Sequence, residues 1–154
     1  MDNAWNMTKP ATGKPKFETN NMKVQLDITI SAHVESITPV VEAILALARE
    51  MRCAVGKEFE IETAVRESLA NAIRHGCRDD ASKRVECCVA CDESKGMLIV
   101  VRDPGPGFDP ASIPNPVAGQ NIYSNHGRGI YLINQLMDEV RFERGGREIH
   151  MRKS

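Results

Sequence analysis

The sequence predicts an α+β fold, a two-layer sandwich in which three helices cover one face of a mostly antiparallel mixed sheet. Three observations carry that reading. Val24, Leu26, Ile28 and Ile30 alternate with polar residues, which is the period of a half-buried strand. Two long stretches, one from Ser36 and one from Glu58, repeat apolar residues at helical spacing. Two further pairs of strand-like runs are joined by short turns, and short turns favour antiparallel hairpins.

Each element follows in order. Residues 1–21 are rich in Asn, Lys, Pro and Thr, with only Trp5 and Phe17 as large apolar side chains, so a flexible tail is expected ahead of a domain spanning 22–154. Ser36 to Ala54 carries Ile37, Val40, Val41, Ile44, Leu45, Leu47 and Ala48 on one helical face, and Pro39 suits a first turn, where its missing N–H costs nothing. Gly56 is expected to break this helix. The next opens at Lys57 or Glu58, turns Ile61, Val65, Leu69, Ala72 and Ile73 to the core, and is expected to end at Gly76 in a left-handed cap. Lys83–Asp92 and Met97–Arg102 form a hairpin about Glu93–Gly96. Residues 110–125, with three prolines and few core residues, read as a long loop of the kind that closes over sites. A last helix is expected after Gly127 and Gly129, carrying Ile130, Leu132, Ile133, Leu136 and Met137. Val140–Arg144 and Arg147–Met151 close the chain as strands around Gly145–Gly146.

Composition narrows the function. With 154 residues, 42% hydrophobic and 27% charged, the chain suits one globular domain. A formal net charge of -1 supplies no basic field for nucleic acid, and no apolar run reaches the length of a membrane span. No export signal is visible, so the cytoplasm is the expected location. Five cysteines, an odd number, argue against a disulfide framework, and reduced thiols are expected. Cys87-Cys88-Val-Ala-Cys91 invites a metal reading, but no second Cys/His pair has zinc-ligand spacing, and the segment reads as strand.

Three stretches carry the chemistry. Glu67, Asn71 and His75 recur every four residues and stack beside the apolar stripe of the second helix. A carboxylate, an amide and an imidazole on one edge point to a ligand; the alternative is a helix whose Asn and His satisfy neighbouring backbone groups. Asp103-Pro-Gly-Pro-Gly107 follows a strand and sets an acidic side chain at a sheet edge. His126-Gly-Arg-Gly129 leads into a helix.

Taken together, Glu67-x-x-x-Asn71-Ala-x-x-His75-Gly76, Asp103-x-Gly105-x-Gly107 and Gly127-x-Gly129 resemble the N, G1 and G2 boxes of the GHKL ATPases, whose ATP-binding fold is of the Bergerat type. The short lid and the ending Leu136-Met-Asp-Glu-Val140 look most like the anti-sigma-factor serine/threonine kinases of bacterial partner-switching systems. That resemblance implies ATP and Mg²⁺ as cofactors, phosphorylation of a STAS-type anti-sigma antagonist, a sigma factor as second partner, and a homodimer. Within it, Asp103 would accept a hydrogen bond from the exocyclic amine of adenine, while Gly105 and Gly107 let the backbone approach a flat base. Gly127 and Gly129 would precede a helix whose first amides face phosphate. Asn71 offers one oxygen to Mg²⁺, and Glu67, one turn earlier, would take the proton of an attacking hydroxyl. Arg128 would neutralise charge on the phosphoryl group. Some family members carry a basic residue shortly before the first glycine, where this chain has Asn125 and His126, so the γ-phosphate contact stays open. Two activities compete: a protein kinase, and a nucleotide-gated binding module that holds a partner without phosphorylating it. Glu67 separates them, because a pure binder needs no base beside the metal ligand.

Overall fold

Apolar alternation places one sheet against one helical layer. The computed structural model describes residues 5–8, 22–109, 111 and 125–154. Its strands are β1 (Trp5–Thr8), β2 (Val24–Ser31), β3 (Arg84–Asp92), β4 (Gly96–Arg102), β5 (Glu139–Glu143) and β6 (Glu148–Lys153), and its helices are α1 (Ile37–Met51), α2 (Glu58–Asn71) and α3 (Asn125–Leu136). The strand order is β1-β2-β3-β4-β6-β5, and among the described residues each of the five pairings is antiparallel. The hairpins fall where the turns predict them, with Asp92 paired to Gly96 and Glu143 to Glu148.

The sheet's two faces separate cleanly. Leu26, Ile28, Ile30, Val85, Cys87, Val89, Met97, Ile99, Val101, Ile149 and Met151 meet the helices in one core. Cys88, Ala90, Leu98 and Val100 form a smaller cluster with Met22 on the opposite face. From the helices, Val40, Ile44, Ile61, Leu69 and Ile133 enter the main core fully buried. Burying each such side chain is worth roughly 1.5–3 kcal/mol, and this pins α2 centrally between α1 and α3. No described helix is long and apolar enough to cross a membrane.

Several expectations need correction. α1 ends at Met51 rather than Gly56, because Arg52 turns left-handed (φ 53) and its N–H bonds back to Ala48 and Arg49. Within the expected tail, Trp5–Thr8 pairs as a strand with Asp27–Ile30; the rest of that segment lies outside the described residues. The cysteines are not all reduced: Cys53 and Cys91 form a disulfide, with Cα atoms 6.1 Å apart. Cys53 follows the left-handed residue that closes α1, and Cys91 ends the helix-facing row of β3, so both sulfurs enter the same space between the layers. Cys87 and Cys88 point to opposite faces of β3, so the Cys-rich run cannot converge on one ion.

Candidate nucleotide site

α2 sets the first half of the site. Glu58 and Glu60 lie in its first turn, where carboxylates suit the helix dipole, and Ile61, Ala64, Val65, Ser68 and Leu69 face the core. Glu67 and Asn71 therefore fall on the flank, half-buried. Beyond Asn71 the helix widens into a π-helical turn over Ala72–Gly76, closed by the Cys77 N–H donating to the Ala72 carbonyl at 2.9 Å. Such insertions recur at functional sites. Here His75 is exposed, while Gly76 is buried.

Gly76 is not the left-handed cap its position suggests. The left-handed residues are Arg78 (φ 52) and Asp79 (φ 58). Gly76 lacks a side chain because the Asp103 carboxylate occupies the place where a Cβ would stand, and Gly105 in turn abuts the Gly76 carbonyl. Two of the three motifs thus interlock through glycine.

β4 delivers Asp103 to this contact. The Asp103 N–H donates to the Arg147 carbonyl (3.0 Å), and its Oδ1 accepts from the Gly105 N–H (2.8 Å), which orients the carboxylate. Burial raises the Asp103 pKa above the ordinary carboxylate value, while the Gly105 amide and the Arg147 charge act against that rise. The neighbouring Cys77 thiol is pushed up to about 11, by burial first and by the Asp103 charge second, so it is a packed thiol rather than a nucleophile. Gly107 adopts φ 78 and lies against the Gly145 carbonyl. Phe108 then donates its N–H to that carbonyl (2.8 Å) and sets its ring edge-on to Phe142, with centroids 5.3 Å apart.

α3 starts earlier than expected. Gly127, Arg128 and Gly129 lie within its first turns, not before them. The N–H of Gly129 therefore stands where intrahelical bonding has begun, and its role is steric. A Cβ there would lie 3.0 Å from Glu67 Oε2 and 3.2 Å from Asn71 Nδ2, so its absence lets both heads reach α3. Sequence rules treat paired glycines as a break before a helix; tertiary packing against α2 overrides that propensity.

A cavity of about 100 Å³ connects these pieces, lined among others by Ser68, Asn71, His75, Asp103, Phe108 and Arg147. Of the expected residues, Asn71, Asp103 and Gly107 border it, Glu67 and Gly129 meet beside Asn71, and Gly105 backs Asp103. Gly127 is buried in α3, and Arg128, exposed on α3, is not among the cavity-lining residues. The expected lid over 110–125 falls almost wholly outside the described residues. The sequence reading missed Ser68 and the whole wall from Phe142 to Arg147; Gly145–Gly146 signalled a hairpin turn, but nothing local signalled that the turn would face Gly107.

The family described as histidine kinase-like ATPase domain matches residues 30–153 of this chain. The chain belongs to that family. Two relatives of this histidine kinase-like ATPase domain resemble it over most of their length. One, named anti-sigma F factor, from Priestia megaterium, is 26% identical over 128 residues, covering 79% of this chain and 84% of the relative. The other, named serine-protein kinase RsbW, from Bacillus cereus (strain G9842), is 24% identical over 122 residues, 75% of each chain. The three motifs thus belong to an ATPase-type domain similar to anti-sigma proteins and serine kinases.

Proposed function

We propose that this chain is an ATP-dependent protein serine/threonine kinase of the anti-sigma type, that it phosphorylates a STAS-type antagonist, and that it also binds a sigma factor. The observation that carries the reading is the meeting of the Glu67 carboxylate and the Asn71 amide at Gly129, with Asp103 bordering the same cavity as Asn71. An acid that can recognise a base and an amide on one cavity, with a carboxylate beside the amide, suit a nucleotide lying between Asp103 and Asn71. The names of the two relatives support the same activity.

The residues fit ATP and Mg²⁺. The interlocked Gly76, Asp103 and Gly105 leave backbone where a flat base can approach, and the Asn71 amide supplies the hard oxygen donor that magnesium prefers. Bound there, the ion would neutralise charge on the phosphates. Asp103 orients the base, the first turn of α3 faces the phosphates, and Arg128 on that turn balances the charge of the transferred group. Glu67 accepts the proton of the partner's serine or threonine hydroxyl as its oxygen bonds to the γ-phosphorus; the bond to the bridging oxygen breaks, and ADP leaves with that electron pair. A cytoplasmic homodimer completes the proposal.

Single-turnover phosphorylation of candidate antagonists, run beside nucleotide titrations, tests it. Glu67→Gln should keep nucleotide affinity and slow transfer by on the order of 10²–10⁴-fold. Removing the Asn71 oxygen should weaken Mg-nucleotide binding as well. A wild type that binds its partner in a nucleotide-dependent way yet transfers nothing is a binding module instead.

A further inference from the structure

Behind the base pocket, on the sheet face turned away from the helices, Glu148 is 5% exposed. Three groups converge on its carboxylate: Arg102 Nε at 2.6 Å and Arg144 Nε at 3.4 Å from Oε2, and His150 Nε2 at 2.6 Å from Oε1. Burial alone would raise the Glu148 pKa, but the hydrogen bonds and charges of His150 and Arg102 outweigh it and hold the group below its ordinary value. Glu148 is therefore an anion at neutral pH. A buried charge cluster of this kind is a poor source of net stability, because desolvation offsets most of the Coulomb gain. What it fixes is geometry.

Its two arginine partners lead to opposite walls of the pocket. Arg102 pairs with Glu148 in the β4–β6 register and immediately precedes Asp103. Arg144, held at φ 53, opens the turn Arg144–Gly146; its carbonyl accepts from Arg147 Nε (3.1 Å), and the next carbonyl, of Gly145, accepts from the Phe108 N–H. One carboxylate thus ties the start of the Asp103 turn to the wall that clasps its end.

We infer that Glu148 is the positioning residue for base selectivity: through Arg102 and Arg144 it sets the separation between Asp103 and the Phe142–Arg147 wall, and so the preference for a base bearing an exocyclic amine. The inference rests on the nucleotide reading above. Arg102, one-sixth exposed, carries most of the tie, and the more exposed Arg144 a smaller part.

The test is the ratio of ITP to ATP dissociation constants, measured by calorimetry on the full chain, because inosine lacks the amine that Asp103 would accept. Wild type should favour ATP by about tenfold or more, the worth of a hydrogen bond to a charged acceptor. Glu148→Gln, which keeps shape and loses charge, should bring the ratio close to one, and Arg102→Gln should do the same. The double variant should lose no more than either single one, as expected of groups acting as a unit. A fall in melting temperature with an unchanged ratio overturns the inference and leaves Glu148 a structural anion. Should Glu148→Gln fail to fold, Arg144→Ala decides: it should lower the ratio by about twofold, and an unchanged ratio overturns the inference. A wild type that binds neither nucleotide, or both alike, fails earlier, at the base pocket itself.

Discussion

Asp103 couples site chemistry to stability. Because burial raises its pKa in the folded protein, the folded state binds more protons than the unfolded state between the ordinary value of 3.8 and the raised one. Its contribution to stability therefore falls as pH rises through that interval, and above it the buried carboxylate carries the full penalty. Asp103→Asn should leave the unliganded protein as stable as wild type at pH 7, or more so, and flatten that part of the profile, while ATP affinity drops. Urea titrations across pH, paired with calorimetry, check both halves; equal ATP binding by the two proteins would remove Asp103 from the base pocket. Gly76→Ala tests the other side of the contact. Its methyl group meets the Asp103 carboxylate, so a loss of roughly 1–3 kcal/mol in urea unfolding is expected, together with weakened nucleotide binding. Gly129→Ala presses on Glu67 and Asn71 at 3.0–3.4 Å, and should affect Mg-nucleotide affinity more than stability. The boxes themselves are visible in the sequence because each is a short local pattern. Why Gly76 must be glycine is not, because the atom that excludes a side chain belongs to Asp103.

At the scale of elements, helices and strands follow the hydrophobic period closely, and the errors fall at their ends. The start of α3 is misplaced because Gly127 and Gly129 look like breakers, whereas burial of Gly129 against α2 outweighs its propensity. The end of α1 is misplaced because Arg52 takes a left-handed conformation without being glycine. That same turn delivers Cys53 to Cys91 and ties the α1–α2 connection to the end of β3. Under denaturing, non-reducing conditions the oxidised chain should expose three titratable thiols, and all five after reduction. With the cysteines separated by 38 positions in sequence, reduction should lower stability by up to about 4 kcal/mol. Five titratable thiols without reductant, in protein handled under air, would contradict the bridge.

At the scale of the whole molecule, the cavity draws on α2, its π-helical turn, the Asp103 turn and the β5–β6 hairpin, with α3 closing against α2. A ligand held by all of them stabilises the native state as a unit. At a hundredfold excess over its dissociation constant, Mg-ATP should add about 2.7 kcal/mol, roughly 5–10 °C in melting temperature for a chain of this size. Scanning fluorimetry with and without Mg-ATP checks this, and no shift at saturating nucleotide counts against the ATPase reading. Chelating the metal should remove part of the shift if Asn71 holds magnesium.

The sequence by itself determined the two-layer architecture and the resemblance of three motifs to the boxes of an ATPase family, because both are written in local terms: period two, period 3.6, and glycines at fixed offsets from an acid or an amide. Only the tertiary structure decided how the motifs meet. Gly76 against Asp103, Gly129 against Glu67, Gly107 against Gly145 and Cys53 with Cys91 are contacts between residues far apart in the chain. They depend on strand order and on how closely helices pack, and a local pattern records neither.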